Sequence, residues 1–176
     1  MKLEYILYRI DSTSNKSWEK IKDIEVKDIA YNSQDCEKDY IFIAIDGETT
    51  DGHNYVHDAY ERGTRIFVIN KDVSLPEDSI KIFVEDSRKT LSRISANLFG
   101  HPSKGLTVIG ITGTKGKTTT ANYIRSILEE ADINTGIIGT NGIFYNGKEL
   151  DTINTTPESY ELQRILRIML DNGVRR

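Results

Sequence analysis

A glycine-rich run between two regular segments constrains the fold of this 176-residue chain most strongly. The run from Gly110 to Thr119 reads GITGTKGKTT, follows the apolar stretch Leu106 to Ile111 and leads into a helical pattern over Thr118 to Ala131. Glycines let successive backbone N–H groups converge on an anion, and a helix that follows directs its positive end at the same point. The sequence therefore predicts a strand, a phosphate-binding loop and a helix, in that order.

The predicted loop carries the groups that a nucleoside triphosphate and Mg²⁺ require. Lys117 can reach the outer phosphates, and the Thr118 hydroxyl is placed to help hold the metal ion. We predict catalytic roles for Lys117 and Thr118 and a metal-binding role for Thr118. The residues predicted to bind ATP are Gly113, Thr114, Lys115, Gly116, Lys117, Thr118 and Thr119. The loop departs from the commonest motif, because Ile111 stands where that motif has its first glycine.

Composition narrows the classes of protein to which this chain can belong. Apolar residues make up 38% of the chain and charged residues 28%, which is ordinary for a soluble globular protein. The formal net charge of −4 argues against nucleic-acid binding through a broad basic surface. With neither a signal peptide nor a membrane-spanning stretch, we expect a cytoplasmic protein that does not contact a membrane. Cys36 is the only cysteine, so an intrachain disulfide is excluded, and a catalytic thiol is not favoured.

The first part of the chain alternates strand-like and helical patterns. Continuous apolar runs at 40–45 and 65–69 predict buried strands, and the segment 53–62 between them predicts a helix. A helix with Asp86 and Ser87 at its start is predicted to end near Gly100. The turn-rich segment 100–105 then suggests a domain boundary, so we predict an α/β protein with domains 1–104 and 105–176.

The second part reads as the start of a parallel-sheet domain. A strand at 135–138 is predicted to lie parallel to the strand of the phosphate loop, and a β-hairpin is predicted over 143–150 around Asn146-Gly147. Pro157 is predicted to take the first position of a further helix. The region after Gly105 is short for a sheet covered on both faces, so we expect this domain to be incomplete and the chain to be the front part of a longer protein.

Three stretches resemble the Mur ligase family. They are Tyr40 to Val56, with Phe42 to Gly47 followed by Asp51-Gly52-His53, the loop Gly110 to Thr120, and Asn154 to Glu158. Their order and spacing agree along essentially the whole chain, and the altered loop of the family also accounts for Ile111.

The resemblance implies an ATP-dependent amide ligase of peptidoglycan precursor synthesis. Such an enzyme moves the γ-phosphoryl group of ATP to the carboxylate of UDP-N-acetylmuramoyl-L-alanyl-D-glutamate, and the amine of an amino acid then displaces phosphate. Domain 1–104 would bind the UDP-substrate, and 105–176 would be the first part of a P-loop ATPase domain. The acidic metal-ligand segment, the carbamylated lysine and the C-terminal domain of the family have no counterpart before Arg176, so this chain alone is expected to be inactive.

The family also implies substrate-binding residues. Ser33 matches a serine that contacts the diphosphate, although Asn32 and Gln34 stand where the family often has an acidic residue and an arginine. The expected substrate-binding residues are Ser33, Glu48, Thr49, Thr50, Asn154, Thr155 and Thr156.

Other interpretations remain open at this point. A related ligase of the folylpolyglutamate or cyanophycin type, or a nonenzymatic nucleotide-binding module, would share the phosphate loop. His53 and His57 lie one helical turn apart and could chelate a metal, but a solvated helix face is the favoured prediction for both. The sequence indicates neither the amino acid that is added nor the oligomeric state.

Overall fold

The computed structural model describes residues 1–47, 50–150 and 157–175. It divides the chain into two compact units, Met1–Leu98 (unit 1) and Phe99–Arg176 (unit 2). Of the predicted site residues, Glu48, Thr49 and the segment 154–156 lie outside the described residues.

Unit 1 is built on a five-stranded sheet with the order β1-β5-β4-β3-β2. Strands β2 to β5 run parallel, and the short β1 pairs antiparallel with β5. The strands are β1 (Thr13–Ser14), β2 (Asp28–Ala30), β3 (Tyr40–Ile43), β4 (Ile66–Ile69) and β5 (Ile80–Phe83). The two central apolar runs thus form the buried parallel strands that their composition predicts.

Helices and 3₁₀ turns connect the strands of unit 1. The helices are α1 (Leu3–Ile6), α2 (Trp18–Ile21), α3 (Val56–Glu61) and α4 (Ser87–Leu98), and 3₁₀ turns cover Ser33–Asp35 and Gly52–Tyr55. The predicted start of α4 is confirmed, because the Asp86 carboxylate accepts the Lys89 N–H at 2.9 Å. Asn97 near the end of α4 donates to the Ile6 carbonyl at 2.8 Å and thereby ties α1 to α4.

The core of unit 1 is centred on β3 and β4. Phe42 and Phe67, opposite each other in the parallel pair, are 1% and 0% exposed and meet edge to face with ring centroids 6.4 Å apart. On α4, Leu91 and Ile94 are completely buried. Unit 1 therefore has a closed hydrophobic core of its own.

Unit 2 contains a glycine-rich loop, two long helices and a small sheet. Its described elements are a 3₁₀ turn at Pro102–Gly105, α5 (Lys117–Glu130), β6 (Gly136–Gly139), β7 (Gly142–Tyr145), β8 (Lys148–Leu150) and α6 (Ser159–Asp171). The predicted hairpin is confirmed: β7 and β8 pair antiparallel, and Asn146 and Gly147 between them have φ values of 47° and 72°. None of the helices in the described ranges has the length and apolar character that a bilayer crossing requires.

Three local predictions for unit 2 were wrong. Leu106 to Ile111 forms no strand, and β6 pairs antiparallel with β7 instead of parallel to that segment. An extended segment becomes a strand only where neighbours take up its hydrogen bonds. Among the residues that the structure describes, the segment 106–111 makes one such contact with a residue distant in sequence, from the Thr107 N–H to the Arg175 carbonyl at 2.7 Å. Pro157 also precedes α6, whose N-cap is Glu158.

The apolar side of α5 is left uncovered as a consequence. The helix has no buried residue, Ile127 is 70% exposed, and Val108 and Ile109 in the unpaired segment are 64% and 51% exposed. A cavity of about 760 Å³ lies between this segment, α5, β6 and α6, and most of its lining side chains are apolar. The helical and extended patterns of unit 2 are thus realised without a closed core around α5.

The turn-rich segment groups with unit 2. The sequence-based boundary lies between 104 and 105, whereas the structure divides the chain between Leu98 and Phe99. The reason is local packing, because Gly105 lies directly against the Leu170 side chain on α6, and the Phe99 ring contacts the Tyr160 ring at a tilt with centroids 5.4 Å apart. The binding functions assigned to the two domains stay predictions.

We expect Phe67→Ala to lower the free energy of unfolding of unit 1 by about 3–5 kcal/mol, because it leaves a cavity beside Phe42. Urea unfolding followed by the fluorescence of Trp18, the single tryptophan and a residue of unit 1, measures this. Tyr5 is 59% exposed, so Tyr5→Ala as a control should stay within about 0.5 kcal/mol of the wild type. Equal losses for the two variants would contradict the proposed core.

Candidate functional site

The glycine-rich loop before α5 and the first turn of that helix form an open cradle of backbone N–H groups. Gly116 is the N-cap with φ of 80°, no side chain caps the helix, and its first turn has no acidic residue. Gly113 also has a positive φ, of 154°, which favours glycine. The N–H groups of the first helical turn have no partner within a helix, and the residues from Thr112 to Thr120 are exposed. The loop therefore presents backbone donors to solvent at the positive end of a 14-residue helix.

Lys117 lies folded back over this cradle. Its ammonium nitrogen donates to the Gly113 carbonyl at 2.6 Å, so the positive charge is held at the mouth of the loop. The donor set, backbone N–H groups and one ammonium without a carboxylate among them, fits a phosphate chain. Thr118, in the first turn of α5, offers a hydroxyl beside the cradle.

A metal ion at this position would need the phosphates of a bound nucleotide as ligands. In the parts of the chain that the structure describes, no three His, Cys, Asp or Glu side chains come together to hold a metal. Mg²⁺ usually takes one or two protein oxygens together with phosphates and waters, so one hydroxyl from Thr118 fits a phosphate-bound Mg²⁺ and not a separate metal centre.

A second candidate surface is the carboxyl edge of the sheet in unit 1. Strands β2, β3 and β4 are parallel neighbours, so the segments that follow them reach the same edge. These segments are 31–34 after β2, 46–51 after β3 and 70–71 after β4. The sheet thus directs the segments that contain Ser33 and Thr50 to the same edge. The segment after β4 adds Lys71, which the sequence analysis did not identify.

Ser33 is buried at this edge, with 5% of its surface exposed. Its hydroxyl donates to the Asp58 carboxylate on α3, and this bond, together with the nearby Arg62 guanidinium, lowers the pKa of Asp58 against the opposing effect of burial. Arg62 also donates to the Gln34 carbonyl at 3.4 Å. The segment around Ser33 is therefore fastened to α3, and the Ser33 hydroxyl is engaged inside the protein.

The loop after β3 closes through backbone hydrogen bonds. The Gly47 N–H donates to the Thr50 carbonyl at 3.1 Å, and the Gly52 N–H donates to the Ile45 carbonyl at 2.8 Å. A Cβ on Gly52 would lie 2.7 Å from the Ile45 nitrogen, so only glycine allows this approach. Thr50 is exposed, and its hydroxyl lies 3.3 Å from the Tyr55 hydroxyl.

The prediction of a solvated His53 was wrong. His53 is 5% exposed; its Nδ1 lies 2.6 Å from Asp51 Oδ1, and its Nε2 accepts the Asn70 N–H at 3.4 Å. These partners place the ring proton on Nδ1. His57 is exposed, in agreement with the prediction for that residue.

Asp51 is the centre of this cluster. Its carboxylate accepts hydrogen bonds from the His53 backbone N–H at 2.9 Å, from the His53 ring Nδ1 and from the Lys71 ammonium. Burial alone would raise the pKa of Asp51, but the hydrogen bonds from Lys71 and His53 outweigh it and hold the pKa well below the ordinary value of an aspartate. The sequence signal that could have indicated Lys71 is its position just after a buried parallel strand.

Burial of Cys36 disfavours a nucleophilic role for its thiol. Its thiol is buried, and burial raises its pKa to about 11. The protonated form of the thiol is therefore favoured at neutral pH.

The fold and its loops define a class: a two-unit α/β protein with a parallel sheet, followed by a glycine-rich loop at a helix N-terminus. The chain belongs to the Mur ligase family. Residues 25–98 match the model of the Mur ligase family catalytic domain, and residues 111–176 match the model of the Mur ligase middle domain.

Two relatives illustrate the similarity in sequence. The chain is 43% identical over 150 residues to the UDP-N-acetylmuramoyl-L-alanyl-D-glutamate--2,6-diaminopimelate ligase of Clostridium perfringens. The aligned region covers 85% of this chain and 31% of the relative. The chain is 37% identical over 173 residues to the ligase of the same name from Clostridioides difficile, with coverage of 98% and 35%. The chain thus spans about a third of the length of these relatives.

Solved structures agree at the level of the fold. A structure of a UDP-N-acetylmuramoyl-L-alanyl-D-glutamate--2,6-diaminopimelate ligase matches with a TM-score of 0.76 at 20% identity, covering 99% of this chain and 34% of that chain. MurF from Acinetobacter baumannii matches with a TM-score of 0.65 at 22% identity and the same coverage.

We expect acid to destabilise unit 1 partly through Asp51. Because the pKa of Asp51 is lower in the folded state than in the unfolded state, its contribution is complete above the unfolded value of about 4 and is lost as the pH falls below it. Asp51→Asn should therefore lower the melting temperature at pH 7 and make it fall less steeply between pH 5 and pH 3. Asp35→Asn, at an exposed position, should keep the wild-type slope. A wild-type slope in Asp51→Asn would contradict the assignment.

Proposed function

We propose that this chain is the UDP-substrate-binding and ATP-binding part of an amide ligase. The reaction that we assign to the whole protein is the ATP-dependent addition of an amino acid to UDP-N-acetylmuramoyl-L-alanyl-D-glutamate through an acyl phosphate. The observation that carries this proposal is the uncapped, exposed cradle at the N-terminus of α5 with Lys117 at its mouth, in a chain of this family.

The cradle suits phosphoryl transfer because that reaction needs positioning and charge neutralisation more than covalent chemistry. Backbone N–H groups from Gly113 to Thr119 would hold the phosphate oxygens. Lys117 would exchange the Gly113 carbonyl for a phosphate oxygen, and Thr118 would contribute one ligand to Mg²⁺. A solved MurF ligase from Thermotoga maritima in complex with ADP, with a TM-score of 0.53 at 23% identity, supports a nucleotide in this fold.

Unit 1 would hold the UDP end of the substrate at the carboxyl edge of its sheet. Ser33 and Thr50 reach this edge in the structure, and Glu48 and Thr49 belong to the same loop as Thr50. Because the Ser33 hydroxyl is bound to Asp58, we expect its contact with a diphosphate to require either a rotation of the hydroxyl or the use of backbone N–H groups. The segment 154–156 completes the proposed set of substrate-binding residues.

The proposal also includes the amino acid that is added and the cellular compartment of the reaction. Both sequence relatives described above are named for 2,6-diaminopimelate, so we include this amino acid in the proposed reaction. We propose the cytoplasm as the site of action, because ATP and nucleotide-linked sugars are the expected substrates. No role for nucleic acid or a membrane is proposed.

The reaction is tested with the whole protein that carries this sequence. We expect phosphate release from ATP only when both UDP-N-acetylmuramoyl-L-alanyl-D-glutamate and diaminopimelate are present, and no turnover by the 176-residue chain alone. Turnover by this chain without another polypeptide, or phosphate release that is independent of the UDP-substrate, would contradict the proposal.

We expect Lys117→Ala to weaken ATP binding by about 10-fold to 100-fold, since a hydrogen bond to a charged group contributes about 1.5–3 kcal/mol. Calorimetry on the 176-residue chain with MgATP, and separately with UDP-N-acetylmuramoyl-L-alanyl-D-glutamate, measures both affinities. Binding of the UDP-substrate should stay within twofold of wild type. Lys104→Ala, an exposed lysine of unit 2 outside the loop, is the matched control and should change neither affinity. Equal loss of both ligands in Lys117→Ala would argue against separate sites.

A further inference from the structure

We propose that Asp51, His53 and Lys71 are positioning residues that hold Thr50 where its carbonyl accepts the Gly47 N–H, and that the UDP-substrate requires this arrangement. The proposal deepens the function proposed above and rests on it, because it takes the loop after β3 to be a substrate-contacting loop. None of the three residues is proposed to touch the substrate.

The cluster links the ends of two neighbouring strands. Asp51 ends the loop that follows β3, whereas Asn70 and Lys71 follow β4, its parallel neighbour. Two connections cross from one strand end to the other: the Lys71 ammonium donates to the Asp51 carboxylate, and the Asn70 N–H donates to the His53 ring. The C-terminal end of the loop is thereby fastened to a strand of the buried sheet.

Burial makes these connections effective. The His53 side chain is 3% exposed and that of Asp51 is 25% exposed, so water competes weakly for the hydrogen bond between these two side chains. Within the loop the backbone closes through the Gly47 N–H and the Thr50 carbonyl at 3.1 Å. Since Asp51 directly follows Thr50, the position of Asp51 affects where the Thr50 carbonyl lies.

Lys71 is the residue at which this role can be tested without damaging the core. Its side chain is 48% exposed, so Lys71→Met keeps the aliphatic stem and removes only the ammonium group. The Asp51 carboxylate would then lose its donor from the segment after β4 and keep its donors from His53.

The Lys27–Glu37 pair offers a matched control. Its ammonium and carboxylate lie 2.6 Å apart, but both side chains are about 60% exposed (61% and 60%), and the residues precede β2 and β3 at the opposite edge of the sheet. Exposed pairs of this kind contribute little. Lys27→Met therefore removes the same chemical group from the opposite edge of the sheet, away from the Gly47–Thr50 hydrogen bond.

Two measurements on the 176-residue chain test the proposal. The first is the exchange rate of the Gly47 amide hydrogen by NMR, which needs no ligand. The second is calorimetric binding of UDP-N-acetylmuramoyl-L-alanyl-D-glutamate. In Lys71→Met we expect Gly47 exchange to accelerate at least tenfold and the substrate to bind about tenfold more weakly. In Lys27→Met both values should stay within twofold of wild type, and Lys71→Arg should restore both.

The possible outcomes separate this proposal from the proposed function. Unchanged Gly47 exchange in Lys71→Met overturns the positioning role whatever the ligand does. Faster exchange with unchanged substrate affinity overturns the claim that this loop shape serves the substrate. Faster exchange in a chain whose wild type does not bind the UDP-substrate supports the holding of the loop and refutes the function proposed for unit 1.

Discussion

The parallel pairing of β3 with β2 on one side and β4 on the other determines the candidate substrate edge of unit 1. Because all three strands end at the same edge, the segments after them meet there. The pairing is maintained by burial, since Phe42 and Phe67 are inaccessible and their rings meet in the core. A slip in register would move these rings out of the core, so the position of the loops is linked to the stability of the sheet.

The two candidate sites differ in what supports them. The cradle before α5 is a local structure, made of glycine backbone and one helix terminus, and it forms although the apolar side of α5 has no close packing. The edge of unit 1 is non-local, because Ser33 depends on Asp58 of α3 and Asp51 depends on Lys71 after β4. The cradle thus depends on the loop and helix that form it, whereas the candidate surface of unit 1 depends on the complete sheet.

Sequence patterns predicted those elements whose signal is local. The apolar runs of β3 and β4, the Asp86 cap of α4 and the Asn146-Gly147 turn are features of a few neighbouring residues, and all appear as predicted. The patterns failed where the structure of a segment depends on residues that are distant in sequence. Leu106 to Ile111 has the composition of a buried strand, yet the described residues supply no adjacent strand to pair with it along its length. The sequence pattern predicts an exposed helix face for His53, but its ring is buried between Asp51 and Asn70.

The sequence by itself determined the family, the glycine-rich loop before α5 and the local helix and strand patterns of unit 1, because these depend on glycine, apolar periodicity and caps that act over a few residues. Only the tertiary structure decided which distant residues meet. Lys71 reaches Asp51 because two parallel strands end together, and the Ser33 hydroxyl turns inward because Asp58 accepts it. Hydrogen bonds between groups that are 20 and 25 positions apart in the chain leave no periodic signal in the sequence, so they become visible only once the sheet has brought their ends together.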